Sequence, residues 1–122
     1  MAKVLIVEDN PANMKLATFL LQSAGHTVLN ATDAEAGLTL ARGEQPQLIL
    51  MDIQLPGMDG LQATVLLKQD DATRAIPVIA LTALAMKGDE ERIRAAGCDA
   101  YISKPMPYKE FLSTVAEQLA RI

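Results

Sequence analysis

Five polar residues that could do chemistry together stand directly behind apolar runs. Glu8 and Asp9 follow "VLIV", Asp52 follows "LILM", Thr82 follows "VIAL", and Lys104 comes two residues after "AYI". Carboxylates are rarely buried without a partner, so an Asp closing a dry run such as "LILM" needs one. Three carboxylates within several ångströms repel one another unless a cation intervenes. Mg²⁺ suits such a set, because it takes oxygen ligands from one or two carboxylates together with waters and a phosphate oxygen. Lys104 adds a movable positive donor and Thr82 a short hydroxyl donor. Together they describe a pocket for a phosphoryl group attached at, or passing through, Asp52, whose carboxylate attacking phosphorus would give an acyl phosphate. Mg²⁺ and Lys104 would stabilise the phosphoryl oxygens during transfer.

The chemistry requires a fold that brings these run-ends together. Short apolar runs lie at 4–7, 27–30, 48–51, 78–81 and 100–102, with amphipathic stretches at 13–24, 34–42, 58–70, 85–96 and 107–121 between and after them. Asn10-Pro11 offers an N-cap and a proline in the first helical turn, and Gly25 a C-terminal stop. Strands alternating with helices imply right-handed crossovers and a parallel sheet covered on both faces. That explains runs that are continuously apolar rather than alternating. The expectation is one α/β domain over 1–122, a doubly wound (βα)5 parallel sheet in the order 2-1-3-4-5. In such a sheet ligands bind beyond the carboxyl ends of the strands, where Glu8, Asp9, Asp52, Thr82 and Lys104 would converge.

Composition narrows the classes of function. The chain has 122 residues, half of them apolar, which is enough for one core without staples. A net charge of −4 gives no electrostatic support for binding nucleic acid or anionic lipid, and two Phe, two Tyr and no Trp make no base-stacking platform. No run approaches the ~20 apolar residues of a membrane span. The lone cysteine, Cys98, fits a reducing cytoplasm and reads as a small buried hydrophobe. His26 reads as a solvated loop residue, Asp33 and Asp59 as helix caps, and Met51, Met58, Met86 and Met106 as packing residues. "KGDEER" at 87–92 reads as a solvated helix face with a Glu90–Arg94 pair.

"VLIVEDN", "LILMDIQLPGMDG", "VIALTA" and "YISKP", in that order along the whole chain, resemble the receiver domains of two-component response regulators. "NMKL", "AMKGDEERIRAAGC" and "YISKP" are further similar to single-domain, DivK-type cell-division regulators. The resemblance implies a flavodoxin-like, CheY-like fold with Asp52 as phosphoacceptor. It also implies Glu8 and Asp9 as the acidic pair, Gln54 giving its backbone carbonyl to Mg²⁺, Thr82 and Tyr101 as switch residues, and Lys104 as the family's lysine before a cis Pro105. Gln54 and Leu84 would border the path of an attacking water. The implied phosphodonor is a histidine kinase or histidine phosphotransfer protein. With no output domain expected, a separate kinase, phosphatase or adaptor would read the face formed by 85–96, 100–102 and 107–121. The domain would assist only its own phosphorylation and dephosphorylation, in the cytoplasm, without nucleic acid or membrane insertion.

Three alternatives compete. A receiver from a hybrid histidine kinase shares several of these strings. A small Mg²⁺-dependent phosphatase of the haloacid-dehalogenase type would also use an Asp nucleophile, but wants a second Asp where Gln54 stands. A flavodoxin-like electron carrier would need a flavin phosphate loop and aromatic pair that the sequence lacks.

Overall fold

The computed structural model describes residues 2–82, 87–103 and 108–121. Strands β1 (Lys3–Val7), β2 (Thr27–Ala31), β3 (Leu48–Asp52), β4 (Val78–Thr82) and β5 (Ala100–Ser103) alternate with helices α1 (Pro11–Ser23), α2 (Ala34–Glu44), α3 (Gly60–Gln69), α4 (Lys87–Ala96) and α5 (Tyr108–Ala120). The strands form one parallel sheet in the order β2-β1-β3-β4-β5. This is the doubly wound order expected from the alternation of runs.

The period-2 alternation of a strand splits the core into two layers. Leu5, Val7, Ile49, Met51, Val78 and Ala80 pack with residues of α2, α3 and α4 on one face. Val4, Ile6, Leu48, Leu50, Ile79 and Leu81 pack with residues of α1 and α5 on the other. Strands β3 and β4 are buried at every position, which is what continuously apolar runs require. Each fully buried Leu or Ile contributes roughly 1.5–3 kcal/mol, so these two central strands anchor whatever their ends carry.

The local signals act as their chemistry dictates. The Asn10 side chain accepts the Asn13 N–H at 3.1 Å and Pro11 opens α1. Gly25, at φ 91°, follows the end of that helix in the left-handed region. Asp33 caps α2, and Asp59 caps α3 through a reciprocal box with Gln62. Cys98 is buried, and that burial pushes its thiol above the usual range. Glu90 and Arg94 pair at 3.3 Å on the exposed side of α4.

His26 departs from expectation. It is half-buried rather than solvated, and its Nδ1 accepts the Ala2 N–H at 3.2 Å. Burial lowers its pKa below the ordinary 6.5. The partner, Ala2, directly precedes the chain's first strand, so nothing near His26 in sequence reveals it.

Candidate functional site

Register and alternation place the first two acids. On β1, Val4 and Ile6 face α1 and α5, and the same period continued brings Glu8 to that side. On β3, Leu48 and Leu50 do so and Asp52 follows. Val7 lies beside Met51, so Glu8 and Asp52 come next to each other at the carboxyl edge. The ladder holds them there: the Glu8 N–H donates to the Ala31 carbonyl at 3.0 Å and the Ile53 N–H to the Leu81 carbonyl at 3.1 Å. Glu8 is 1% exposed and Asp52 3%, while Asp9 reaches into solvent. Each of the three offers a carboxylate oxygen, and these oxygens all lie within 4.8 Å of one another.

Backbone groups aim the carboxylates. The Gln54 N–H donates to Asp52 Oδ1 at 2.9 Å, an Asx turn made by the residue two positions on. The Asn10 N–H donates to Glu8 Oε2 at 3.3 Å, just before the same residue caps α1. Helix α3 then closes behind the site. Its first residue, Gly60, packs against the Asp52 main chain so tightly that a Cβ would fall onto the Asp52 carbonyl and within 2.7 Å of Ile53 Cα. Only glycine permits that approach. Neither the Gln54 amide nor Gly60 was anticipated as part of the site. The available signals were an Asp leading into a Leu-Pro-Gly turn and a glycine directly after the capping Asp59.

Thr82 closes β4, wholly buried, one residue beyond Leu81, which pairs with Asp52. Tyr101 is half-buried on edge strand β5 beside Ala80, on the face packed with α2, α3 and α4. Alternation puts Thr82 on that same face, two residues past Ala80. Ser103 pairs with Thr82 and brings the chain to this edge. Lys104, the Lys104-Pro105 bond, Leu84, Met86 and Met106 lie outside the described residues.

The donor set fits a hard divalent cation. At an effective dielectric of about 20, two unit charges 4.8 Å apart repel by roughly 3–4 kcal/mol. Three ionised carboxylates carry three such pairs, a load comparable with the whole stability of a small domain. A divalent cation bound among all-oxygen ligands reverses that sign.

Comparison with known proteins agrees with this geometry. Over 95% of its length the chain is 53% identical to the polar-differentiation response regulator DivK of Brucella anthropi, covering 94% of that protein. The same identity and coverage hold for DivK of Brucella ovis. Among solved structures, the receiver domain of the sensor histidine kinase PA1611 from Pseudomonas aeruginosa is similar at TM-score 0.91 and 34% identity, with 98% of each chain covered. That structure has a magnesium ion coordinated in its active-site cleft. The chemotaxis protein CheY4 of Vibrio cholerae superposes at TM-score 0.91 with 26% identity, covering 96% of this chain and 98% of its own. The family model for the response regulator receiver domain matches residues 4–116, from the first strand into the last helix, and the chain belongs to that family.

Proposed function

We propose that this chain is a phosphoryl-accepting switch in a two-component relay, with Asp52 as the acceptor. The observation that carries the reading is the cluster of Glu8, Asp9 and Asp52 oxygens within 4.8 Å at the carboxyl edge of the sheet. In this reading an Asp52 carboxylate oxygen attacks phosphorus and forms an acyl phosphate. The bond from phosphorus to the donor imidazole breaks, and its electron pair returns to the nitrogen. The Gln54 N–H on Oδ1 holds the Asp52 carboxylate in a fixed orientation for attack. Glu8, Asp9 and Asp52, with the Gln54 carbonyl, would hold Mg²⁺. Bound there, Mg²⁺ supplies positive charge against the phosphoryl oxygens. Lys104, which follows β5 in the sequence, would supply a second cation.

Phosphorylation brings roughly −1.5 to −2 charge to the edge where Thr82 ends β4. The Thr82 hydroxyl donates toward that charge, and Tyr101, two positions back on the same face beside Ala80, repacks behind it. The surface of α4, β5 and α5 changes as a result, and a separate kinase, phosphatase or adaptor reads it. A 10- to 100-fold switch in partner affinity needs only about 1.4–2.8 kcal/mol of differential binding. The donor is a histidine kinase or histidine phosphotransfer protein, and the chain assists no reaction beyond its own phosphorylation and hydrolysis. Similarity to the DivK proteins favours a single receiver domain acting in the cytoplasm on cell division or polar differentiation. The likeness to the PA1611 receiver supports a second reading, a receiver from a hybrid sensor kinase.

The test is incubation with a small acyl-phosphate donor, with Mg²⁺ or with a chelator. Wild type should take up label only with Mg²⁺. Asp52→Asn, which keeps the shape and loses the nucleophile, should take up none. Wild-type labelling in the presence of chelator, or of the Asn variant, contradicts the reading.

A further inference from the structure

The amino-terminal end of the sheet, opposite the acidic edge, holds a cavity of about 220 Å³ that the phosphorylation chemistry does not use. Lys68, Arg74, Pro77, Asp99, Gln118 and Arg121 line it. Lys68 and Asp99 make a neutral floor. The Lys68 ammonium donates to the Arg74 and Ile76 carbonyls at 3.3 and 2.8 Å and to Asp99 Oδ2 at 3.2 Å. The same carboxylate oxygen accepts the Val78 N–H at 2.9 Å. These bonds tie the end of α3 to the starts of β4 and β5, so the floor is rigid.

Gln118 opens onto this cavity. The residue is only 5% exposed and no hydrogen bond joins its side-chain amide to another described residue. Among the described residues no buried side-chain nitrogen or oxygen lacks a partner, so the surface this amide keeps is what the cavity leaves open to solvent or to a ligand. Here the amide borders a cavity whose rim adds two guanidinium groups, from Arg74 and Arg121. Three cations against one carboxylate leave an excess of two positive charges in the lining, within a chain of net charge −4. The carboxyl ends of α3 and α5 subtract roughly half a charge each. Asp71 also pairs with Arg74 at 3.1 Å, but its side chain is 90% exposed, so solvent screens it.

We infer that this cavity binds a small oxyanion, a phosphate or carboxylate group, held by the Arg74 and Arg121 guanidinium groups with the Gln118 amide donating to it. Guanidinium forks match planar and tetrahedral oxyanions with paired charge-assisted hydrogen bonds. The site lies away from the carboxylates at the other end, so its occupancy is measurable without phosphorylation.

The experiment is an NMR titration of the unphosphorylated protein in chelator, with inorganic pyrophosphate in one arm and succinate in the other, at constant ionic strength. Saturable shifts of the Gln118 side-chain amide and of the Pro77–Val78 and Asp99 region are expected in at least one arm, which identifies the phosphate or the carboxylate form. Arg121→Gln, at an exposed rim position, should fold normally and weaken binding roughly tenfold or more, the loss of one charge-assisted hydrogen bond. Gln118→Leu should remove the amide signal and weaken binding similarly. Shifts that never saturate in either arm, saturation unchanged by Arg121→Gln, or shifts confined to residues 8, 9 and 52 would each overturn the inference.

Discussion

Alanine at position 60 adds one methyl group where the Asp52 carbonyl already stands. The obstacle is backbone on both sides, so relief requires either α3 or the end of β3 to move. Overpacking of this kind costs about 1–3 kcal/mol. Gly60→Ala should therefore lower the unfolding free energy obtained from urea denaturation by that amount, with a lower midpoint, and slow phosphoryl uptake, because the displaced atom belongs to the proposed acceptor, Asp52. An unchanged midpoint would mean that the close approach is not a feature of the folded protein. Thr82 tests the opposite separation. Its hydroxyl is buried at the strand end, and in the proposed reading it responds to the phosphoryl group rather than attacking phosphorus. Thr82→Ala should leave Asp52 labelling near wild type and abolish the phosphorylation-dependent change in amide exchange across 90–103 and 108–120. A normal exchange response in this variant would reduce Thr82 to a strand-end cap.

Among the elements, the start of β1 depends on a titratable group. His26 accepts the Ala2 N–H through Nδ1, which only the neutral imidazole can do. Burial depresses its pKa below 6.5, so the unfolded chain binds the proton more readily. The contribution is fully present above about pH 6.5 and is lost as pH falls through the depressed folded value. His26→Gln, with a non-titrating acceptor, should remove this part of the acid destabilisation. The check is thermal melting from pH 7.5 to 5, and parallel profiles for both proteins would refute the role. The element order itself was legible from five apolar runs and their caps. Each strand nevertheless runs a residue beyond its apolar run at one end, adding Lys3, Ala31, Asp52, Thr82 and Ser103. Ladder hydrogen bonds join main chain to main chain and do not stop where side chains turn polar. The acidic trio was legible because strand ends in a doubly wound sheet share an edge. The Gln54 amide, the Gly60 contact and the His26–Ala2 bond were not. The last of these joins residues 24 apart in sequence, and the first two depend on turn geometry that residue types alone leave open.

Across the whole molecule, charge is sorted to the two ends of one sheet. Glu8, Asp9 and Asp52 gather at the carboxyl edge, and Lys68, Arg74 and Arg121 surround the amino-terminal end. Fully buried strands β3 and β4 span the distance between them. In the proposed reading the acidic end gives up stability for chemistry, since the mutual repulsion of its carboxylates is offset by a cation or by partner groups. That arrangement has meaning only if Asp52 is the residue that reacts. The direct measurement is to phosphorylate the wild type with a small acyl-phosphate donor and Mg²⁺, reduce with borohydride, and map the product by peptide mass spectrometry. An acyl phosphate on an aspartate is reduced to homoserine, so the predicted result is homoserine at position 52 and at no other position. Homoserine at Asp9 with Asp52 unmodified, or phosphate retained on His26 or Ser103, would contradict the account.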